Sequence, residues 1–152
     1  MMALGKRISG GDEYYTPRWI FDGLKLHFDL DPSSPLSGGG HVPATTKYTI
    51  EDDGLARPWQ GLVWMNPPYS KPTPWVDKFI MHNNGIALLP FTRGKWWFNL
   101  WNHSDAIMPI GYDFKFNHLD GTKKVITFNT ALFAIGDVSV AALHKLQLHR
   151  IR

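Results

Sequence analysis

The stretch Asn66-Pro67-Pro68-Tyr69 combines residue types that can hold and activate an amino group. It follows the apolar run at residues 62–65, which predicts a buried strand. Proline fixes its φ angle and lacks an amide hydrogen, so the double proline makes a stiff, extended exit from that strand. The Asn66 side-chain oxygen and the Pro67 carbonyl oxygen can then point into one small volume. Two acceptors at one point match the two hydrogens of an –NH₂ group, and Tyr69 adds a flat aromatic face beside them.

The chemistry that such a corner can support is alkylation of an aromatic amine. An aryl amine is a weak nucleophile because its lone pair is delocalised into the ring. Hydrogen bonds from both of its hydrogens to fixed acceptors favour the pyramidal form, in which the lone pair is available for attack. Holding the amine in line with an electrophile supplies a second contribution. No strong base is needed, since the proton becomes acidic once the nitrogen is alkylated. The alternative interpretation of the same residues is a plain turn that ends a strand.

Strands and helices alternate along the chain, which predicts an α/β sandwich with a mostly parallel sheet and a C-terminal antiparallel hairpin element. In such sheets ligands gather at the carboxyl ends of the strands, and Asp31, Asp53 and Asn66 lie at or near such ends. The Asp120-Gly121 pair, between residues 114–117 and 125–128, is typical of a β-hairpin turn. The other predicted strands cover residues 28–30, 62–65, 86–89, 106–110 and 131–135, and predicted helices begin at Pro17 and cover residues 74–82, 95–101 and 138–148.

The segments without strong periodicity are predicted to be loops. Thr16 followed by Pro17 is typical of a helix start, with Thr16 as the N-cap and Pro17 in the first helical position. Residues 1–12 are polar and contain glycine, and we expect a flexible tail. Residues 32–47 are rich in Pro, Ser and Gly, which predicts a long loop. No internal repeat or composition break is present, so residues 1–152 are predicted to form one domain.

Composition narrows the class of protein. No apolar run approaches the roughly 18 residues needed to span a bilayer, and the first residues do not resemble a secretory signal. The chain has no cysteine, which excludes disulfides and thiolate metal sites, and we expect a cytoplasmic protein. The histidines show no metal-ligand spacing, so we expect no metal. A formal charge of +3 permits nucleic-acid binding without requiring it.

Several segments, in this order and spacing, resemble the phage-type DNA adenine-N6 methyltransferases (the phage Dam family). They are YYTPRWIFDGL, FDLDPSS, EDDGLARPWQGLVWMNPPYS, PWVDKF and ALLPFTRGKWWF, and together they cover about residues 13–135. The resemblance implies a Rossmann-like class I methyltransferase sandwich that uses S-adenosyl-L-methionine. The implied reaction is direct in-line transfer of a methyl group to the exocyclic N6 amine of adenine in DNA. The adenine would be flipped out of the duplex, as enzymes that modify bases require.

The resemblance also implies roles for individual residues. In the catalytic set of Asn66, Pro67, Pro68 and Tyr69, the first two would hold the amine and Tyr69 would stack on the adenine. Thr16 would help to hold the methionine carboxylate of the cofactor. The full set of implied cofactor-binding residues is Tyr15, Thr16, Pro17, Asp31, Asp52 and Asp53, with Asp31 beside the amino group, Asp53 at the adenosine portion and Asp52 a weaker candidate.

Basic residues near the predicted strand ends are candidates for contacts with DNA. Arg93 and Lys95 follow the apolar strand at residues 86–89 and could meet phosphates, although exposed basic residues are often simply solvated. Phe116 could contact the target base or pack in the core. The complete set of candidate DNA-binding residues is Arg93, Lys95, Lys115, Phe116, Lys123 and Lys124.

Two features depart from what is common among methyltransferases. The predicted first strand is followed by Asp31-Pro32-Ser33-Ser34-Pro35 instead of a glycine-rich loop, and no insertion is long enough for a separate target-recognition domain. Selectivity would then come from loops, a partner or oligomerisation, or be weak. The oligomeric state that we expect is a monomer or a dimer. Alternative hypotheses are a methyltransferase acting on RNA bases or protein glutamine, and a catalytically silent nucleic-acid-binding relative. The family suggests a bacteriophage origin, a restriction-modification context and the bacterial host cytoplasm.

Overall fold

The computed structural model describes residues 14–36, 41–110, 115–118, 123–125 and 129–150. Four helices alternate with nine strands in this part of the chain, and the prediction of an α/β protein is confirmed. The helices are α1 (Arg18–Leu24), α2 (Thr73–His82), α3 (Lys95–His103) and α4 (Asp137–Arg150). The strands are β1 (Tyr14–Tyr15), β2 (Phe28–Asp31), β3 (Ala44–Lys47), β4 (Val63–Met65), β5 (Gly85–Pro90), β6 (Ala106–Ile110), β7 (Lys115–His118), β8 (Lys123–Val125) and β9 (Thr130–Ile135).

The larger sheet is mixed and has six strands in the order β3-β2-β4-β5-β9-β6. Strands β3, β2, β4 and β5 pair in parallel, whereas β9 is antiparallel to both β5 and β6. The predicted hairpin is present in the pairing of β7 with β8, and β1 adds to it as a third antiparallel strand. The hairpin therefore belongs to a separate three-stranded sheet, and its turn at Asp120-Gly121 lies outside the described residues, as do residues 1–12.

The six-stranded sheet is covered on both faces because its central strands are apolar along their whole length. Successive side chains of a strand point to opposite faces. Trp64 accordingly packs in one cluster with residues of α1 and α4, while Val63 and Met65 pack in the other with residues of α2 and α3. The result is three layers, with helices on each side of the sheet. None of the helices in the described part of the chain is both long and apolar enough to cross a membrane.

Two predictions about local structure were wrong. Part of the predicted loop at residues 32–47 is strand β3, which pairs in parallel with β2 at the edge of the sheet. Thr16 does not cap a helix: α1 begins at Arg18, its N-cap is Pro17, and no side chain bonds to the cap. The helix ends after Leu24 because Lys25 adopts a left-handed conformation with φ +53°.

Candidate active site

The strand order creates a crevice where the chain changes direction across the sheet. From β2 the chain passes to β3 on one side, and then returns to place β4 on the other side of β2. Ligands in open α/β sheets bind outside the carboxyl ends of the strands at such a switch point. Asp31 is the last residue of β2, and Asn66 directly follows β4. Two of the candidate residues are therefore brought to neighbouring strand ends.

The Asn66 carboxamide is hydrogen-bonded to Thr16. Its Nδ2 atom donates a hydrogen bond to Thr16 Oγ1 at 3.2 Å. Thr16 is 3% exposed, and its hydroxyl is available for this contact because it caps no helix. Asn66 itself is half-buried, and its Oδ1 atom accepts no hydrogen bond from the residues that the structure describes. In this orientation of the carboxamide, an acceptor oxygen is available at the carboxyl edge of the sheet.

The rest of the Asn-Pro-Pro-Tyr corner is anchored on the neighbouring strand. Pro67 is buried, and the half-buried ring of Tyr69 packs against the clusters on both faces of the sheet. The Tyr69 hydroxyl donates to the carbonyl oxygen of Leu88 in β5 at 3.3 Å. Burial raises the pKa of Tyr69 well above its ordinary value, so this side chain stays a neutral phenol. The corner is a rigid feature of the sheet edge.

Asp31 is a buried carboxyl group, 2% exposed. Burial raises its pKa to about 7, although the backbone N–H of Ser33, 3.3 Å from Oδ1, and the charge of Lys47 both lower it. Lys47 stands opposite Asp31 in the pairing of β2 with β3. A carboxyl group whose pKa is raised to near 7 is typical of a functional site.

Ser33 and Ser34 follow Asp31 closely in the chain. The Oγ atoms of Ser33 and Ser34 are buried and make no hydrogen bond to any part of the chain that the structure describes. Buried polar atoms without partners are rare and costly in native proteins. Three other buried polar atoms elsewhere among the described residues also lack partners, so these two hydroxyls are notable because they lie close in the chain to the buried carboxyl group of Asp31. In the sequence these serines stand where many methyltransferases have a glycine-rich loop, and their position directly after a strand end was the only signal of a binding role.

Asp52 and Asp53 have different environments although they are adjacent. The Asp52 carboxylate accepts hydrogen bonds from the backbone N–H and the hydroxyl of Thr49 at 2.9 and 3.3 Å, and lies 3.9 Å from Arg57. Asp53 has φ +58° and is exposed. Asp52 therefore stabilises its own loop, and Asp53 is the residue whose side chain faces solvent.

The loop after Asp53 lies directly against the segment that follows Asp31. A Cβ atom added to Gly54 would lie 2.1 Å from the carbonyl oxygen of Pro32, so only glycine fits at this approach. Trp59 closes the loop, since its Nε1 atom donates to the carbonyl oxygen of Gly54 at 2.8 Å. Asp31 and Asp53 are thus carried by two segments in backbone contact.

Lys78 of α2 binds the loop that follows Asp53, a role that the sequence did not reveal. Its ammonium group donates to the carbonyl oxygens of Leu55, at 2.8 Å, and Arg57, and lies 5.3 Å from the centre of the Trp59 ring. Burial lowers the pKa of Lys78, and the charge of Asp53 partly offsets this effect. The acidic turn is therefore a fixed structure.

The candidate DNA-binding residues fall in two places. Arg93 and Lys95 are exposed and follow β5, at the same edge of the sheet as Asp31 and Asn66. Lys115, Phe116, Lys123 and Lys124 belong to β7 and β8, where Phe116 pairs with Lys124. Strand β1 connects this hairpin to the site, because Tyr15 pairs with Asn117 and directly precedes Thr16 and the buried Pro17. Among the described residues, no group of three or more His, Asp or Glu could hold a metal ion.

Comparison with known proteins places these features in a family context. A family model described as DNA N-6-adenine-methyltransferase (Dam) matches residues 6–129. A DNA N-6-adenine-methyltransferase of Haemophilus phage HP1 (strain HP1c1) is 30% identical in an alignment 99 residues long, which covers 60% of this chain and 57% of that protein. A DNA N-6-adenine-methyltransferase of Escherichia phage T1 is 32% identical in an alignment 97 residues long, which covers 57% of this chain and 39% of that protein. The chain thus spans only part of the length of both relatives, and no solved structure matches it.

Proposed function

The chain belongs to the DNA N-6-adenine-methyltransferase (Dam) family, and from this membership we propose that it transfers a methyl group from S-adenosyl-L-methionine to the N6 amine of adenine in DNA. The single observation that carries the proposal is the Asn66 carboxamide at the carboxyl end of β4, with Nδ2 bound to Thr16 and Oδ1 left to accept. This acceptor lies one strand away from Asp31, whose buried carboxyl group marks a second polar site.

The fold that we propose is the Rossmann-like class I methyltransferase sandwich, with the residues of both sheets in one catalytic domain. Its support is the arrangement of parallel strands, the helices on both faces and the switch point between β2 and β4. In this arrangement the cofactor and the target base occupy adjoining parts of one crevice.

The residues around Asp31 fit the polar end of S-adenosyl-L-methionine. A cationic amino group beside Asp31 would favour the ionised carboxylate and offset the cost of its burial. The hydroxyls of Ser33 and Ser34 would gain the partners that they lack. Thr16 would donate its hydroxyl hydrogen to the carboxylate of the cofactor. We propose Asp53 for the adenosine portion, with Tyr15, Pro17 and the loop-bound Asp52 as neighbouring residues. When bound, the cofactor supplies a methyl group made electrophilic by its sulfonium.

Asn66 and Pro67 would position the amine that receives this methyl group. Asn66 Oδ1 and the Pro67 carbonyl would accept its two hydrogens, while Pro68 keeps the corner stiff and Tyr69 provides the stacking face. The neutral phenol of Tyr69, bound to the carbonyl oxygen of Leu88, takes no part in proton transfer. The proton leaves to solvent after the nitrogen is alkylated, and no covalent enzyme intermediate forms.

DNA would lie across the carboxyl edge of the sheet with the target adenine turned out of the duplex. Phosphate contacts are proposed for Arg93 and Lys95 at this edge, and for the hairpin residues Lys115, Lys123 and Lys124, with Phe116 near the target base. Because the relatives are phage proteins, we place the activity in the cytoplasm of a bacterial host.

The test is the variant Asn66→Ala, with Asn102→Ala at an exposed position of α3 as the matched control. We expect Asn66→Ala to abolish transfer of a tritiated methyl group to DNA while calorimetry shows unchanged S-adenosylhomocysteine binding. Nearly normal methylation by this variant would refute the role of Asn66. Label in RNA or protein fractions would favour the alternative substrates, and failure of the wild-type protein to bind S-adenosylhomocysteine would favour a silent relative. Mass spectrometry of hydrolysed DNA identifies the methylated nucleoside.

A further inference from the structure

The hydrogen bond between Asn66 and Thr16 joins two residues that are 50 positions apart in the chain. Thr16 is almost completely buried, and its hydroxyl does not cap α1, whose N-cap is Pro17. In the described part of the structure, Thr16 Oγ1 accepts from Asn66 Nδ2, while its own hydrogen has no acceptor. The Thr16 hydroxyl therefore accepts one hydrogen bond from Asn66 and still has its own hydrogen to donate.

The orientation of an asparagine carboxamide decides whether it can accept from an amine. Its oxygen accepts and its –NH₂ group only donates, and the two ends have nearly the same size. A threonine hydroxyl can accept from the –NH₂ end or donate to the oxygen, so by itself it does not fix the orientation. If an outside acceptor takes the hydroxyl hydrogen, only lone pairs remain for Asn66. The –NH₂ end must then face Thr16, and Oδ1 must face the substrate.

We propose that Thr16 is a positioning residue that couples occupation of the cofactor site to binding of the target adenine. The proposal rests on the proposed function, in which the cofactor carboxylate lies at Thr16. The carboxylate takes the Thr16 hydrogen and so locks Asn66 with Oδ1 toward the amine. Without the cofactor, both carboxamide orientations are accessible and only one of them binds adenine. The cofactor therefore tightens adenine binding, and by linkage adenine tightens cofactor binding by the same factor.

The test uses the isosteric variant Thr16→Val, which lacks the hydroxyl, and Thr16→Ser, which keeps it. A DNA duplex that the wild-type protein methylates is titrated by fluorescence anisotropy, with and without saturating S-adenosylhomocysteine. A second duplex carries an unsubstituted purine, without the amine, at the target position. We expect S-adenosylhomocysteine to tighten binding of the adenine duplex by about twofold in the wild-type protein and in Thr16→Ser, because locking one of two equally populated carboxamide orientations doubles the fraction of protein that can bind adenine. The purine duplex should show little of this tightening.

In Thr16→Val the tightening should be lost even when S-adenosylhomocysteine is saturating, and kcat should fall under the same conditions. A residue that only helps to bind the cofactor would instead raise the cofactor Kd and leave the coupling intact at saturation. Retention of the full coupling by Thr16→Val overturns the role of Thr16 while leaving the proposed function in place. Absence of S-adenosylhomocysteine binding to the wild-type protein would overturn the proposed function and, with it, this inference.

Discussion

Replacing Asp31 with asparagine should make the ligand-free protein more stable at neutral and alkaline pH. The pKa of this buried carboxyl group is raised from 3.8 to about 7. Between these two values the unfolded chain is ionised while the folded protein keeps its proton, so the stability of the wild-type protein falls as the pH rises. At about 1.4 kcal/mol for each pH unit, the whole cost of ionising Asp31 in the fold is about 4 kcal/mol. Asparagine avoids this cost because it does not ionise.

The assay is urea unfolding of the wild-type protein and Asp31→Asn at pH 5 and pH 8. Only the part of the titration above pH 5 falls in this window. The difference in unfolding free energy between the two proteins should therefore change by about 3 kcal/mol, in favour of the variant at pH 8. Asp22→Asn, which removes an exposed carboxylate on α1, is the matched control and should show no comparable change. Saturating S-adenosylhomocysteine should stabilise Asp31→Asn less than the wild-type protein, since the variant offers no charge to a cationic amino group.

A stability difference that is equal at pH 5 and pH 8 would refute the reasoning, because it would mean that Asp31 ionises in the fold as easily as in the unfolded chain. If the pH dependence is present but both proteins bind S-adenosylhomocysteine equally well, the burial argument stands and Asp31 is removed from the cofactor site. The two measurements thus separate the electrostatics of the fold from the function of the residue.

Gly54→Ala places a methyl group 2.1 Å from the carbonyl oxygen of Pro32, so we expect a loss of about 1–3 kcal/mol in urea unfolding and weaker S-adenosylhomocysteine binding by calorimetry. Trp64→Ala empties a site that is 1% exposed, and thermal unfolding should report a loss of about 3–5 kcal/mol. Arg93→Ala should reduce the slope of log K for DNA against log salt by about 0.9. Lys25→Asn, in the turn between α1 and β2, should leave that slope unchanged, and an equal effect of both variants would contradict a specific contact by Arg93.

The elements that the sequence predicted well are those with strong hydrophobic patterns. Residues 106–110 form β6 with the predicted bounds, and α2 and β5 each extend one residue or less beyond the predicted ends. Strand β3, Ala44–Lys47, has no such pattern. It is a strand because β2 offers it a partner, and that interaction between distant segments is invisible in a short polar stretch. Lys47, the charge opposite Asp31, was missed for the same reason.

The candidate site also has features that the sequence predicted and features that it did not. Asn66 and Asp31 could be placed at strand ends from the order of apolar runs alone, and the structure brings those ends together. The hydrogen bonds and burial of these side chains could not be predicted from the sequence. Thr16 was expected to cap a helix, but it bonds to Asn66 because Pro17 occupies the cap position. The hydroxyls of Ser33 and Ser34, which have no hydrogen-bond partner among the described residues, are buried by residues elsewhere in the chain. The roles proposed for the catalytic, cofactor-binding and DNA-binding residues remain predictions.

The position of β9 also has a consequence for how the protein is made. Both strands beside it, β5 and β6, come earlier in the chain, and β9 pairs along Gly85–Pro90 and Ala106–Ile110. A ribosome that has not yet added residues 130–135 therefore carries a chain in which β5 and β6 have nothing between them. Unpaired strand edges are prone to join other chains, so a chain in which β9 has not yet paired exposes β5 and β6 to aggregation. Insertion of β9 removes this exposure because it forms the pairings with β5 and β6 together.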